Sequence, residues 1–442
     1  MASIPAMAPE AYQRLRCAVI GKQPLTGAIV IALWRSANNL PLLFSEKMDR
    51  LFYLLAITQI LLGAYLVWQG LRWLGYLRRR LHSDPGFYAP RVALLCPCKG
   101  IDPGLERNLV SLTEFERQNY EIFFVVASEK DPARSIIERV AKSSRVKTNV
   151  VIAGHPVNCG GKVNNLRVAI EQLPEEFEVL AFADSDGRPG KHWLHQLVAP
   201  LADSRVGATT TMRWLVPNSG NLPTALQAAW NAPIVTMLGE KAKNFCWGGG
   251  TAIRRSIFEQ SGVLDEWKGS VSDDYSLTRS LERNGRPILF VPEALTLSYV
   301  ETDFKGLLEI TNRQVLITRV YADKMWRAAA CTHLLYCLTL LLGFYLILRE
   351  ALAQKPSLHL LTLTFLPVLL SAIRGGLRLT GVTEVLPDAR PQITGQAWVY
   401  MLLTLFVPFL YLVNFANSSA TRKIRWRGMR YELISPQQTR IL

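Results

Sequence analysis

Two carboxylates stand directly after an apolar run in the stretch LAFADSDGRPG (180–190). Asp184 and Asp186 are separated by one serine, and glycine and proline follow them. Two carboxylates at this spacing can hold one divalent cation, and their hard oxygen atoms suit Mg²⁺ or Mn²⁺, which share their coordination with substrate phosphates. A plain turn is the alternative, because Asp, Ser and Gly favour turns. The position of the pair at the end of a buried strand favours the metal site.

A second acid pair, Asp273 and Asp274, stands at the start of an amphipathic segment within 270–287. Acids at the start of a helix are stabilised by the helix dipole, so a capping role alone would account for them. A carboxylate that is held in a cleft can instead accept a proton from a hydroxyl group. The functional interpretation of this pair is therefore a general base.

Glycines and basic residues mark three further segments. The segment 158–170 opens a helix with two glycines and Lys162, and backbone amides at a helix N-terminus suit phosphate binding, although the spacing is not that of a Walker loop. Residues 248–250 are consecutive glycines, which let a backbone approach a ligand closely or turn tightly. Basic residues in 309–326 recur at roughly helical spacing, which is typical of a helix on a membrane surface and would also suit a diphosphate clamp.

A folded framework of strands and helices must hold these side chains in place. Residues 91–183 show alternating sequence patterns of strands and helices. We predict strands at 91–97, 120–128, 148–154 and 177–183, and helices at 103–117, 131–143 and 161–173. Such alternation predicts a parallel, doubly wound sheet. Ligands of such sheets bind at the carboxyl ends of the strands, which is where the first acid pair lies.

Four segments are long and apolar enough to be candidates for crossing a bilayer, namely 51–71, 328–348, 356–373 and 397–413. Arg78-Arg79-Arg80 follows the first of them, so the positive-inside rule places residues 77–327 in the cytosol. The net charge of +15 indicates anionic partners, and the apolar segments favour membrane lipids over nucleic acid.

The number of crossings and the charge of the tail conflict. Three more full crossings would place the basic tail outside, so we expect one segment to be re-entrant or interfacial, with the proline-containing 356–373 and 397–413 as the suspects. The expected organisation is an interfacial or disordered N-terminal segment (1–50), a transmembrane helix (51–76), a cytosolic catalytic domain (77–327), a C-terminal membrane region (328–416) and a basic tail (417–442). This organisation predicts a multi-pass membrane protein.

Seven short motifs occur in an order that resembles one family. They are CPCKG, SEKDPA, GGKVNN, ADSDG, GGGTAIRRS, SDDYSL and RQVLITR, and they cover about 90–330. Together they resemble membrane-bound family 2 glycosyltransferases, and the nearest branch is the ceramide glucosyltransferases of family 21 with the related hopanoid-type enzymes. The resemblance implies a GT-A fold, that is, an α/β fold with a Rossmann-like, mostly parallel sheet, flanked here by transmembrane helices.

The resemblance also implies roles for the acids and for the first loop. Asp184 and Asp186 look like the metal and diphosphate carboxylates. Asp274, the second member of the pair with Asp273, is similar to the catalytic base. Nucleotide-binding positions of the family are matched by Pro97, Lys99, Lys162 and Asn165.

Two positions depart from the family pattern. The acid after the second strand usually aligns near position 128, which is serine here, so Glu129 or Asp131 would hold the uridine instead. The closing motif is usually Gln/Arg-x-x-Arg-Trp, whereas here Gln314 is followed by Arg319 five residues later, with no adjacent tryptophan. Gln314 and Arg319 are the candidates for that motif.

The predicted activity is that of a hexosyltransferase. It would move a hexose, with glucose favoured, from a UDP-sugar to a lipid hydroxyl such as that of ceramide, with inversion and with Mg²⁺ or Mn²⁺. A processive polysaccharide synthase would share the sheet and the acids but needs a translocation channel, usually with more spans. A transporter or scaffold with a nucleotide-binding domain is a third class, and the spans here lack the acidic residues that commonly mark ion pathways.

Overall fold

The computed structural model describes residues 24–240 and 243–442. The chain forms two compact units. The smaller one comprises the residues up to Gln59 together with Thr339–Thr364, and the larger one comprises Ile60–Leu338 and Phe365–Leu442. In the smaller unit, apolar side chains of its helical segments pack together, namely Phe52, Ala56, Leu346 and Leu360. The larger unit holds all the strands and the candidate site.

Twelve strands are formed by the described residues: β1 (Arg91–Pro97), β2 (Asn119–Val126), β3 (Thr148–Ile152), β4 (Val179–Ala183), β5 (Ala208–Thr210), β6 (Arg213–Pro217), β7 (Gly250–Arg254), β8 (Ile288–Phe290), β9 (Thr296–Val300), β10 (Lys423–Trp426), β11 (Met429–Ser435) and β12 (Gln438–Ile441).

The α-helices of the same residues are α1 (Pro24–Leu81), α2 (Leu105–Leu112), α3 (Ala133–Ser143), α4 (Gly161–Glu171), α5 (Trp193–Val198), α6 (Leu222–Asn231), α7 (Arg255–Gln260), α8 (Val263–Trp267), α9 (Asp273–Arg283), α10 (Phe304–Tyr321), α11 (Asp323–Leu352), α12 (Leu358–Val385), α13 (Arg390–Gly395), α14 (Ala397–Met401) and α15 (Val407–Ala420). Short 3-10 helices span Ala199–Ala202, Ala232–Met237, Pro292–Ala294, Pro387–Ala389 and Leu403–Leu405.

The central sheet has seven strands in the order β3-β2-β1-β4-β7-β5-β8. The pairs β1–β2, β1–β4, β2–β3 and β5–β8 are parallel, and β7 runs antiparallel to both of its neighbours. A separate two-stranded parallel sheet pairs β6 with β9. The prediction of a GT-A type, Rossmann-like and mostly parallel sheet flanked by apolar helices is therefore confirmed.

The two faces of the sheet are covered by separate apolar clusters. Successive side chains of a strand point to opposite faces, and in β1 Val92 and Leu94 belong to one cluster whereas Ala93 and Leu95 belong to the other. The first cluster includes residues of α2, α3 and α5, and the second includes residues of α4, α7 and α8. Because both faces are covered, the central strands β1 and β4 are buried along nearly their whole length, whereas the edge strand β3 is partly exposed.

In the part of the chain that the structure describes, three helices are long and apolar enough to cross a membrane. They are Glu46–Leu81, Asp323–Leu352 and Leu358–Val385, and they indicate a membrane protein. The last of them contains Pro367 without a break. The segments Ala397–Leu405 and Val407–Ala420 meet at a bend of 62°, so one of the two suspected segments is a broken span or a re-entrant loop.

The described residues near both ends of the chain form regular secondary structure. Residues 24–50, expected to be interfacial or disordered, belong to helix α1 (Pro24–Leu81); a helix is compatible with an interfacial position and differs from disorder. The remainder of that N-terminal segment, residues 1–23, lies outside the described residues. The region 417–442, expected only as a basic tail, continues α15 to Ala420 and then forms the three-stranded antiparallel sheet β10-β11-β12.

Candidate active site

The first acid pair follows β4 directly, as its sequence position predicted. The five residues of β4, VLAFA, are all buried, and Ala183 at its end lies opposite Gly250 of β7. Asp184 and Asp186 come next and line a cavity of about 1170 Å³ at this edge of the sheet. A strand that is buried on both faces fixes the start of this loop, so the two carboxylates are held on a rigid support.

The consecutive glycines 248–250 pass directly beside the acids. A Cβ atom built on Gly249 would overlap the Asp184 carboxylate. One built on Gly248 would lie 2.6 Å from both Asp273 Oδ2 and Lys162 Nζ. Real Cβ atoms do not approach so closely, so at these two positions glycine is required by a close approach of the backbone to charged side chains.

Lys162 joins the two acid pairs. It lies in the first turn of α4, and its Nζ is 2.8 Å from Asp184 Oδ1 and 3.0 Å from Asp273 Oδ2. Burial alone would lower the pKa of Lys162, but the two carboxylates outweigh burial and raise that pKa well above its usual value. Lys162 is therefore a permanent cation between acids that the sequence places 89 residues apart.

The second acid pair opens helix α9. Ser272 caps the helix by accepting a hydrogen bond from Tyr275 N. Burial raises the pKa of Asp273, Lys162 opposes this rise, and repulsion by Asp274 adds to it. The resulting pKa of Asp273 is about 6. Asp273 is only 5% exposed. Its neighbour Asp274 is half-buried and lines the cavity.

The two oxygen atoms of Asp274 have different surroundings. Oδ1 accepts hydrogen bonds from Ser272 Oγ and from Tyr275 N, the latter at 2.8 Å. Oδ2 accepts none from the residues that the structure describes. Asp274 therefore has a carboxylate oxygen without a partner among the described residues, whereas Asp273 is more deeply buried and its Oδ2 is paired with Lys162.

Two arginines bring positive charge to the other side of the first acid pair. Arg213 at the start of β6 pairs with Asp186 Oδ1. Burial alone would raise the pKa of Asp184, but Lys162 and Arg213 outweigh it and hold that pKa below its usual value. Arg313 of α10 lies 5.0 Å from the ring centroid of Trp426, and burial together with the nearby Arg427 lowers its pKa to about 10. Its buried Nε has no partner among the described residues.

The C-terminal sheet closes this side of the cavity. Strands β10 and β11 are joined by Arg427 and Gly428, which have φ values of 49° and 81°, as a two-residue hairpin turn of type I′ requires. The turn is fixed because Arg427 pairs with Asp102, with 2.8 Å between Nη2 and Oδ2. Behind the turn, Tyr431 Oη accepts a hydrogen bond from Gly161 N at 3.2 Å.

The structure brings most of the predicted nucleotide-binding residues to this cavity. Its lining includes Pro97, Lys99, Asp131, Lys162, Asn165 and Gln314. Asp131 Oδ1 accepts hydrogen bonds from Gly100 N at 2.9 Å and from Ala133 N at 3.0 Å, so it fixes the loop after β1 to the start of α3. The buried Oδ1 of Asn165 has no partner among the described residues.

Two predicted residues are not brought to the cavity. Glu129 is exposed and lies 3.6 Å from Arg134 of α3, so Asp131 is the acid of that loop that lines the cavity. Arg319 donates to the Ser418 carbonyl and stacks on Trp326, on a different face of α10 from Gln314. Residues five apart on a helix point in directions about 140° apart, which explains the separation.

The far side of the same cavity is apolar. Its lining there includes Ile234, Met237 and Phe245, then Met325, Trp326 and Ala329 of α11, and Tyr411 and Phe415 of α15. Helix α11 is one of the candidate membrane spans. The cavity therefore extends from charged side chains at the sheet to apolar side chains at the first turns of a span.

Asp184 and Asp186 are the candidate ligands for a divalent cation. No group of three or more His, Cys, Asp or Glu side chains able to hold a metal occurs among residues 24–240 and 243–442. Asp184 and Asp186 supply two hard oxygen ligands, which fits Mg²⁺ or Mn²⁺, because these ions commonly take one or two protein carboxylates and complete their coordination with phosphates and water. Lys162 contacts Asp184 and Arg213 contacts Asp186, so a bound cation would share these carboxylates with the two basic side chains.

A mostly parallel sheet with paired acids at its carboxyl edge, next to apolar helices, is the organisation of a membrane-bound glycosyltransferase. Residues 51–439 match the model of glycosyl transferase family 21, and the chain belongs to this family. Family membership implies a hexosyltransferase that takes a nucleotide-sugar donor and an acceptor.

Similar proteins are distant in sequence. Ceramide glucosyltransferase 1 of Caenorhabditis elegans is 20% identical over 213 residues, which are 47% of this chain and 45% of that protein, so the match spans less than half of the relative's length. A mannosyltransferase from Pyrobaculum calidifontis, solved with GDP-Man and Mn²⁺, has a TM-score of 0.47 and 19% identity over 81% of this chain and 99% of its own. Glucosyl-3-phosphoglycerate synthase from Mycobacterium tuberculosis has a TM-score of 0.34 and 12% identity over 57% of this chain and 84% of its own.

Arg427 lines the cavity, so we expect it to contribute to the binding of a negatively charged ligand. Replacing Arg427 by alanine should weaken binding of a nucleoside diphosphate by about 10-fold or more, because a hydrogen bond to a charged group contributes about 1.5–3 kcal/mol. Binding of the uncharged nucleoside should change little. Both affinities can be measured by isothermal titration calorimetry on the full chain in detergent, with the exposed Arg430 of β11 replaced by alanine as the control. Equal losses for nucleoside and diphosphate would contradict the charge-based role.

Proposed function

We propose that this chain transfers a hexose, with glucose favoured, from a UDP-sugar to the hydroxyl group of a lipid such as ceramide, with inversion at the anomeric carbon. The observation that carries the proposal is a single cavity in which both acid pairs, joined by Lys162, are continuous with apolar side chains of a candidate membrane span. A charged donor and an apolar acceptor both fit such a cavity.

The donor lies along the carboxyl edge of the sheet in this proposal. Asp131 and the loop of Pro97 and Lys99 surround the base and ribose, because they end β1 and follow β2. Lys162, Asn165 and Gln314 line the same cavity and would contact the diphosphate in this proposal.

Asp184 and Asp186 would hold the divalent cation. When it is bound, the cation offsets the charge that develops on the departing nucleoside diphosphate. Lys162 adds a fixed positive charge beside Asp184, and the close approach of the Gly249 backbone limits movement of the Asp184 carboxylate toward β7.

Asp274 is the proposed general base. Its free Oδ2 would accept the proton of the lipid hydroxyl as that oxygen attacks the anomeric carbon from the face opposite the leaving group. Asp273 is only 5% exposed and its Oδ2 is paired with Lys162, so it is less accessible as a nucleophile than Asp274 is as a base, which supports a single displacement. A retaining path through a covalent intermediate would need a second carboxylate that is free to attack.

The proposed topology places the catalytic part in the cytosol and the chain in the membrane as a multi-pass protein. Arg78, Arg79 and Arg80 form the last turn of α1, at the end of a candidate span that precedes the sheet. Positive residues beside a span favour the cytosolic side. A lipid acceptor would then approach from the cytosolic leaflet toward α11.

Sugar transfer by the full chain tests the proposal. Membranes that contain the protein are incubated with radiolabelled UDP-glucose and ceramide, and the expected product is a labelled, solvent-extractable lipid whose sugar has the anomeric configuration opposite to that of the donor. The Asp184→Asn variant should form almost none, because the cation and diphosphate lose a ligand.

Three results would contradict parts of the proposal. Label in a polymer that resists extraction would indicate a processive synthase. Transfer from another nucleotide sugar in a donor panel, without transfer from UDP-glucose, would replace the proposed donor. No binding of any nucleotide sugar would remove the proposed function altogether.

A further inference from the structure

One face of helix α6 lines the cavity. Gln227, Trp230 and Asn231 contribute to the lining, and Ile234 continues it in the following 3-10 helix, with the i, i+3, i+4, i+7 spacing of one helix face. Other side chains of α6 pack into the apolar core, namely Ala225, Ala228 and Ala229. The helix therefore presents two amide side chains to the cavity from a rigidly packed backbone.

Both amides are buried and lack partners. Gln227 and Asn231 are each 7% exposed, and no side-chain hydrogen bond to either is formed by any residue in the described ranges. Gln227 Oε1 and Asn231 Nδ2 are fully buried without a partner. Buried polar groups are nearly always hydrogen-bonded in folded proteins, and an exception in a cavity calls for a ligand or ordered water.

Polar groups next to these amides are satisfied. Trp230 Nε1 donates to Asn414 Oδ1 at 3.2 Å, and Asn414 Nδ2 donates to Thr311 Oγ1 at 2.9 Å. Tyr411 Oη donates to the Trp230 carbonyl at 3.2 Å. Among the polar groups on this face of α6 that the structure describes, only the side chains of Gln227 and Asn231 therefore contain buried atoms without a hydrogen-bond partner.

We propose that Gln227 and Asn231 form an acceptor-headgroup subsite that selects lipids with a hydrogen-bond donor and an acceptor beside the reactive hydroxyl group. The inference rests on the proposed function. Residues four apart on a helix are separated by a rise of about 6 Å. Each side-chain amide offers both an N–H donor and a carbonyl acceptor. A matching lipid must offer both kinds of group over a similar distance.

This requirement distinguishes classes of lipid. An amide-linked lipid such as a ceramide has an N–H donor and a carbonyl acceptor close to its hydroxyl groups. A diacylglycerol has one hydroxyl group and ester oxygens, which only accept, so after its hydroxyl group reacts no donor remains for Gln227 Oε1. The subsite therefore favours the amide-linked lipid, and the apolar lining from Ile234 to Trp326 receives its chains.

Volume-conserving variants test the subsite. Gln227→Met and Asn231→Leu remove the amides and keep the bulk. Because each replaces an unpartnered buried polar group, both should fold with a Tm at least equal to that of the wild type. Each should raise the KM for ceramide by about 10-fold, as expected for a lost hydrogen bond. The KM for the nucleotide sugar and the small rate with diacylglycerol should stay unchanged.

A readout without turnover separates this inference from the proposed function. The full chain in detergent is titrated with short-chain ceramide and with short-chain diacylglycerol, and the wild type should bind the ceramide at least 10-fold more tightly, whereas the double variant should bind the two equally. The control is Gln172→Met, an exposed glutamine that follows α4. An unchanged ceramide preference in the double variant would overturn the subsite even if transfer proceeds. Preferential binding by the wild type without transfer would instead keep the subsite and overturn the proposed function.

Discussion

Replacing Asp274 by asparagine should reduce sugar transfer by about 10²–10⁴-fold, the usual contribution of a general base. Asparagine keeps the Oδ1 atom that accepts from Ser272 and Tyr275, so the start of α9 should remain intact. The free oxygen can no longer accept a proton. Initial rates with both substrates saturating measure the loss, and calorimetry should show nucleoside diphosphate binding close to that of the wild type.

The matched control for this variant is Asp265→Asn. Asp265 also lies in the first turn of a short helix, but its side chain is 77% exposed and pairs with Lys268 outside the cavity. Transfer by the control should be within a factor of two of the wild type. Unchanged transfer by Asp274→Asn would exclude Asp274 as the base and leave Asp273 as the remaining acid of the pair.

A single methyl group at Gly249 should cost at least about 100-fold in transfer rate. A Cβ at this position overlaps the Asp184 carboxylate, and Gly249 has no positive φ, so the backbone itself accepts alanine. Asp184 must therefore shift, and displacement of a catalytic group by about 1 Å is enough for such a loss. The Gly249→Ala variant is compared with the wild type by initial rates and by the affinity for the nucleoside diphosphate in the presence of Mn²⁺.

Gly190→Ala provides the control. It lies in the same loop region after β4, and a Cβ there would meet no atom within 4 Å. It should transfer sugar like the wild type. Wild-type activity in Gly249→Ala would show that the position of Asp184 is not critical, and the proposed cation site would then be untenable.

The frame of the sheet was predictable because its signals are local. The predicted strand 91–97 is exact in the structure, and the second and third predicted strands end two residues earlier, at Val126 and Ile152. An apolar run of this length, bounded by turn residues and rich in β-branched and aromatic side chains, favours a buried strand over a helix. Two of the three predicted helices differ by no more than two residues at an end, whereas the first, predicted at 103–117, ends five residues earlier at Leu112.

The contacts within the site were not predictable from local signals. Lys162 was identified from its position at a helix start, but its bridge between Asp184 and Asp273 depends on the antiparallel placement of β7. Arg213 begins a strand that was not predicted, and its pairing with Asp186 arises only from the tertiary fold. Sequence spacing does not encode such contacts.

The sequence contains a pattern typical of the C-terminal hairpin, but the prediction considered only the basic charge of this segment. The stretch KIRWRGMRYELI alternates polar and apolar residues around Arg427-Gly428, which is the pattern of a two-residue hairpin. Because the segment is rich in Lys and Arg, residues 417–442 were predicted to be a basic tail. The hairpin also supplies Trp426 next to Arg313, although the expected tryptophan is absent from helix α10 itself.

The hairpin imposes an order on biogenesis. Among the described residues, every helix that is long and apolar enough to cross a bilayer precedes β10, so the ribosome synthesises the hairpin that carries Arg427 after the last apolar helix. The 21 residues from Thr421 to Ile441 take on the order of 1–4 s to translate. In the proposed function, a newly inserted polypeptide would therefore carry Asp184 and Asp274 before Arg427 is in place, and transfer would begin only after the hairpin has folded.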